Sequence, residues 1–239
     1  MRVLLTRPLE DAEPLARRLQ AGGVTSLMEP LLDIEFLDVG DIELSDVQGL
    51  LVTSANGVRA YAACSSRRDL AVWAVGDGSA RAARDAGFQT VHSAGGDVKD
   101  LAELVCDQVD RHSGALLHIA GTKRAGDLGG ALEAAGFQYK RVVLYEARKS
   151  GGLSDQICTA LRTGGLDGVL LYSPRTAATF VDLIQQQGLH DYLKSVTVFC
   201  LSKAVANEAE VLAWKRISIA PIPQEDALIE DVFRALRET

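Results

Sequence analysis

The chain has no apolar run approaching the roughly 18 residues that a membrane-spanning helix needs. Its opening, MRVLLTRPLE, offers only Val3–Leu5 as an apolar stretch before Thr6-Arg7-Pro8, so it does not read as a signal peptide, and a cytoplasmic location is expected. Cysteine is sparse: the four residues at 64, 106, 158 and 200 form no CxxC pair. Without a secretory signal they read as four buried free thiols. His92, His112, His118 and His190 are scattered with no metal-ligand spacing. Positive charge is in deficit, with 25 Lys and Arg against 32 Asp and Glu and a net charge of −7. That argues against nucleic acid as a partner. It also means that an anionic ligand must be met by local groups acting against the overall field.

Familiar enzyme signatures are missing as well. No GxGxxG follows the first strand, so dinucleotide binding has no support. GxxxxGK[ST] is absent, since Gly121-Thr122-Lys123 lacks both the upstream glycine and a following Ser or Thr. No GxSxG elbow occurs, and the carboxylates form no motif from which an acid/base pair could be argued.

What is present is alternation. The 239 residues are 47% apolar, which suits one large domain or two small ones. Arg2–Thr6 reads as a strand, and Pro8–Gln20 then puts Leu9, Ala12, Leu15 and Leu19 on one helical face. Leu50–Thr53, Val72–Val75, Leu116–Ile119, Val169–Tyr172, Val196–Cys200 and Ile217–Ala220 read as further strands. Most are continuous apolar runs, as parallel strands covered on both faces require. Leu228, Ile229, Val232, Phe233 and Leu236 keep a helical period to the end. The expectation is an α/β fold with parallel sheets flanked by helices.

The chain also repeats itself. Gly49–Gly57 (GLLVTSANG) matches Gly168–Thr176 (GVLLYSPRT), aligning Ser54 with Ser173. Val75–Ala80 lines up with Leu201–Ala206, and Leu19–Gly23 with Leu132–Gly136, in the same order. Extended segments, Glu29–Asp38 and Lys140–Lys149, occupy matching places and could pair into a ribbon between two domains.

Small polar residues recur where strand hands over to helix: Thr6-Arg7, Thr53-Ser54 with Asn56-Gly57, Gly76 with Ser79, Gly121-Thr122-Lys123, Ser173-Pro174-Arg175 and Ser202-Lys203. In a parallel sheet such turns lie at the carboxyl ends of the strands, where ligands bind. The free N–H groups and positive dipole end of the following helix favour anions. The plainer reading is that Ser, Thr and Asn are only helix caps and that Arg7, Lys123, Arg175 and Lys203 are solvated charges. The recurrence favours a substrate site facing one inter-domain space.

LLTRP, LLVTSANGV, AVGDGSA, VVLYEA and LLYSPRTAATF occur in this order along the chain. Together they resemble the uroporphyrinogen-III synthase family over essentially the whole length. The resemblance implies two α/β domains joined by a two-stranded β-ribbon: 1–30 with 150–239, and 41–139, with 31–40 and 140–149 as the linkers. It implies a lyase that closes hydroxymethylbilane, a linear tetrapyrrole with eight carboxylates, into uroporphyrinogen III by inverting ring D and losing water. It further implies no metal or organic cofactor. A small-molecule substrate, a monomeric state and transient contact with the preceding pathway enzyme complete the expectation. Tyr145 matches the family tyrosine proposed to assist departure of the hydroxyl; alternatively it is a ribbon tyrosine packed between domains. The turn Ser202–Ala206 departs from the family's Gly-x-x-Thr-Ala, placing Val205 where a hydroxyl is usual. A rival reading is a non-catalytic cytoplasmic two-domain sensor for a polyanionic small molecule.

Overall fold

The structure is a computed structural model that describes residues 1–123 and 126–238. The chain opens with β1 (Arg2–Leu5), α1 (Leu9–Ala21), β2 (Thr25–Met28) and β3 (Leu32–Phe36). Three strand–helix pairs follow: β4 (Val47–Val52) with α2 (Ala55–Cys64), β5 (Ala71–Ala74) with α3 (Asp77–Asp85), and β6 (Val91–Ser93) with α4 (Val98–Gln108). The pattern restarts with β7 (Ala115–Gly121), α5 (Leu128–Ala134), β8 (Tyr139–Lys149) and α6 (Asp155–Arg162). It ends with β9 (Gly168–Leu171) and α7 (Pro174–Gln186), β10 (Thr197–Cys200) and α8 (Lys203–Ala209), and β11 (Arg216–Ile219) and α9 (Glu225–Arg237).

Two compact units result. One comprises Met1–Asp33 and Arg148–Thr239, the other Ile34–Ala147. The first holds a sheet in the order β11-β10-β9-β1-β2, with every neighbouring pair parallel. In the second the order is β3-β8-β7-β4-β5-β6, parallel from β8 to β6. Leu37 N–H donates to Leu144 O at its edge, and just past the ends of β3 and β8, in residues of the first unit, Ser150 N–H donates to Leu31 O. Residue numbers fall on one strand as they rise on the other, so β3 and β8 run antiparallel. The α/β class with helix-flanked parallel sheets is therefore as the sequence indicates.

Alternating residues of the apolar strands build a core on each face of each sheet. In the first unit Leu4, Val169, Leu171 and Val198 meet α6, α7 and α8, whereas Val3, Leu5, Leu170 and Phe199 meet α1 and α9. In the second, Leu50, Val52, Val72 and Ile119 pack with α2 and α3, and Leu51, Trp73 and Leu116 with α4 and α5. The edge strands β2 and β11 are only half covered, which explains their weaker apolar signal. Two expectations need correction. Leu9 is 48% exposed because it sits at the first position of α1, ahead of the buried Ala12, Leu15 and Leu19. Cys64 and Cys106 are exposed at or near helix ends; Cys158 and Cys200 are buried, and all four are free.

The internal repeat has a structural counterpart. With β7, α5 and β8 set against β1, α1 and β2, and β9 to β11 against β4 to β6, the sheets share one strand order. Each unit thus joins the opening βαβ of one half of the repeat to the three later parallel strands of the other half. The repeated glycines Gly23 and Gly136 both follow helices with φ of 82° and 86°, the left-handed conformation a helix exit favours in glycine.

Candidate functional site

Within each unit three of the six polar turns lie side by side. In the first, β10, β9 and β1 are adjacent and parallel, so Ser202-Lys203, Ser173-Pro174-Arg175 and Thr6-Arg7 share one sheet edge. In the second, β7, β4 and β5 do the same for Gly121-Thr122-Lys123, Thr53–Gly57 and Gly76–Ser79.

The turns differ in what they have left to offer. Thr6 is 1% exposed, and its hydroxyl donates to Leu170 O at 2.8 Å, clipping β1 to β9. Arg7 is held by Glu225 at 2.5 Å and Asp11 at 3.4 Å, and its guanidinium carbon stands 4.4 Å over the Tyr172 ring. Its charge is thus largely met within the protein. Lys203 is exposed and pairs with Glu210 at 2.6 Å. Val205 points into the core. Ser202 is half-buried at the α8 N-cap, where its side chain makes no capping bond. Arg175 is half-buried, and its carbonyl accepts from Thr179 Oγ1.

The two repeat serines behave alike. Ser54 caps α2 by accepting from Asn56 N at 3.2 Å, and Ser173 caps α7 by accepting from Thr176 N at 3.1 Å. Capping leaves other first-turn N–H groups facing outward. Pro174, at the first position of α7, has none to give. Neither α2 nor α7 carries an acidic residue in its first turn, whereas α1 has Glu10 and Asp11 and α3 has Asp77. A carboxylate already at a helix start answers the dipole there and repels a second anion. α2 and α7, with the short α8, whose first turn is likewise free of acid, are therefore better suited to anions than α1 and α3. Gly57 lets α2 approach β7 closely, since a Cβ there would stand 3.0 Å from Ile119 O. Gly76 opens α3 in extended backbone with open space around it, and Ser79 is buried one turn on.

Tyr145 belongs to this edge of the second unit. It pairs with Gly121 in the β7–β8 ladder and accepts Thr122 N–H at its carbonyl at 3.0 Å. Its half-buried ring lies over Gly121, while Thr122 and Lys123 are exposed beside it. Arg141 Nη2 donates to Gly121 O, tying the same turn to β8. Tyr145 and the Gly121–Lys123 turn, separate signals in the sequence, are one structural feature.

His118 and Tyr172 were not singled out from the sequence as site residues. His118 is 9% exposed and bonds Thr53 and Tyr139. The available signal was a histidine inside the apolar run Ala115–Gly121, which needs polar partners when buried. Tyr172 directly follows β9 and lies beneath Arg7. Among the described residues no group of three or more His, Cys, Asp or Glu could hold a metal, and no helix is long and apolar enough to cross a membrane. A cavity of about 350 Å³ lined by Gln185, His190, Lys194 and Val211 lies near the start of β10, at the sheet edge away from these turns.

The family model HEM4, uroporphyrinogen-III synthase HemD, matches residues 13–230. The chain belongs to the uroporphyrinogen-III synthase family. Its fold is similar to that of a uroporphyrinogen III synthase from Helicobacter pylori, with a TM-score of 0.64 and 14% identity, covering 98% of this chain and all of the other. A mutant uroporphyrinogen III synthase from Thermus thermophilus gives a TM-score of 0.60 and 17% identity, with both chains covered in full. No curated protein matches by sequence. Such low identities carry the fold alone; membership of the family rests on the match over 13–230.

Proposed function

We propose that this chain is a cytoplasmic, monomeric uroporphyrinogen-III synthase acting as a cyclising hydro-lyase on hydroxymethylbilane. The observation that carries the proposal is the family match over residues 13–230. The chemistry of the turns supports it. The substrate carries eight carboxylates, and helix starts free of acid, at Ser54–Gly57 and Ser173–Thr176, suit such groups. Ser202, Thr122, Lys123 and Arg175 add hydroxyl, amide or cationic contacts in this proposal, whereas Thr6 and Arg7 shape their turn.

The work asked of the protein is conformational. Loss of the substrate's hydroxyl as water leaves an azafulvene, and the electron-rich substituted carbon of ring D attacks it to form a spiro intermediate. Reopening and reclosure then give the type III isomer. Free in solution the chain closes without inversion, so holding the folded arrangement is the main contribution. Tyr145 donates a hydrogen bond to the departing hydroxyl, the single acid step assigned to a side chain. These steps draw on no cofactor. Contact with the enzyme that makes hydroxymethylbilane is a further element of the proposal.

The test is incubation with hydroxymethylbilane followed by chromatographic separation of the uroporphyrin isomers after oxidation. Type III in clear excess over the protein-free control supports the enzyme. Type I alone overturns it, and tight binding with type I alone points instead to a sensor.

A further inference from the structure

His118 lies inside β7, among Leu117 and Ile119, and is 9% exposed. An imidazole buried in an apolar sheet needs partners at its nitrogens. Nδ1 stands 2.6 Å from the Tyr139 hydroxyl, and Nε2 stands 3.2 Å from Thr53 Oγ1. Tyr139 is seated from its other side, since a Cβ on Gly129 of α5 would come within 2.8 Å of its ring. Thr53 directly follows β4 and is half-buried at the edge where the α2 turn begins. The three side chains thus form a line from the start of β8, through the buried His118, to the polar strand end at Thr53.

The line has a direction. A neutral imidazole has one N–H and one bare nitrogen, so it accepts at one end and donates at the other. A phenol is a better donor than an aliphatic hydroxyl, and the phenol contact is the shorter of the two. These points favour Tyr139 O–H as donor to a bare Nδ1 and Nε2–H as donor to Thr53 Oγ1. Thr53 then accepts within the protein and keeps its own O–H to give away. Each donation strengthens the next. The opposite arrangement would spend the threonine proton on His118 and leave only lone pairs facing outward, which a carboxylate would avoid.

We propose that Tyr139 and His118 are positioning residues that fix the Thr53 hydroxyl as a hydrogen-bond donor for a substrate carboxylate at the carboxyl end of β4. The carboxylate is that of the functional reading above, on which this inference rests; the tautomer does not depend on it. Thr53 is thereby more than a polar turn residue, because its donor sense is set by a histidine and a tyrosine far from it in sequence.

Two measurements test this. Nitrogen NMR of the ¹⁵N-histidine-labelled protein near neutral pH should show His118 with Nε2 protonated and Nδ1 bare. The reverse tautomer, or an imidazolium, overturns the proposed direction. In the second, Tyr139→Phe should raise KM for hydroxymethylbilane about fivefold, with a much smaller change in kcat. Thr53→Val should raise it similarly, and Tyr139→Phe added to Thr53→Val should cause no further rise. A further rise in the Thr53→Val background overturns the link to Thr53, since it would show Tyr139 acting by another route. His118→Gln, which retains a donor and an acceptor, should restore more activity than His118→Phe, and equal losses count against the proposal. If the wild type yields only type I product, the functional reading fails and carboxylate donation fails with it. The NMR result still decides the hydrogen-bond direction.

Discussion

The ring of Tyr145 rests directly on Gly121: a Cβ at that glycine would stand 2.8 Å from the ring carbons Cε2 and Cζ and 3.1 Å from the hydroxyl oxygen. The side chain that the proposed chemistry uses is therefore positioned by the absence of one at its cross-strand partner. Gly121→Ala should push the ring away and lower kcat, with a stability loss of about 1–3 kcal/mol from overpacking. Tyr145→Phe keeps the packing and removes only the donor. Its kcat should fall about tenfold or more while the product remains type III. Unchanged turnover in Tyr145→Phe would take the phenol out of the mechanism. Release of type I product would instead point to a disturbed substrate fold.

Stability and binding should move in opposite directions at the start of α2. Asn56→Asp places a carboxylate in a first turn that now has none. The helix dipole should reward it with about 0.3–1 kcal/mol of stability. If the turn receives a substrate carboxylate, KM should rise several-fold. Added salt should raise KM of the wild type as well, by screening exposed charges. A more stable variant with unchanged KM would reduce Ser54 and Asn56 to capping alone. Thermal melting and steady-state kinetics on the same preparation decide it.

Alkaline pH should weaken the first unit. Burial pushes the Tyr172 phenol above its ordinary range against the opposing charge of Arg7, and burial pushes the Cys200 thiol up to about 12. Both stay neutral in the folded protein while the unfolded chain begins to ionise near pH 9–10. The unfolded chain then binds fewer protons than the native one, so stability is full below about pH 9 and falls as pH rises towards 12. The double variant Tyr172→Phe, Cys200→Ala should lose Tm less steeply between about pH 8 and 11. An equally steep loss would assign the effect to other groups.

Much of the fold was readable because its central strands are covered on both faces. Val169–Leu171 and Val198–Cys200 are continuous apolar runs for that reason, Leu116–Ile119 is one broken only by His118, and all three lie in strands. β2 and β6 escaped notice because they are short edge strands with polar residues, Thr25-Ser26 and His92-Ser93. Family membership followed from motifs at the strand ends and agrees with the match over 13–230. Partnerships at those ends were less legible. Arg7 resembles a free cation until Glu225, far along the chain, is brought beside it. His118 is an isolated polar residue until Thr53 and Tyr139 supply its bonds. Cys64 and Cys106 were misread because apolar character alone says little about where on a helix a thiol falls.

The exchange of pieces between the repeat halves has a consequence for synthesis. β1 is a nearly fully buried strand between β2 and β9, and β9 begins only at Gly168. At ribosomal speeds its apolar residues wait on the order of ten seconds or more for that neighbour. Meanwhile every strand of the second unit from β4 to β7, and most of β8, emerges as one uninterrupted stretch. As β8 is completed it pairs with β3, and the bond from Ser150 N–H to Leu31 O draws the two ends of the insertion together. A loop of more than a hundred residues is then replaced by a short hairpin-like closure, so the entropy of joining β1 to β9 falls before β9 has been made. With that order of pairing the inserted unit would serve as a nascent-chain clasp, bringing the earliest strand within reach of the last three.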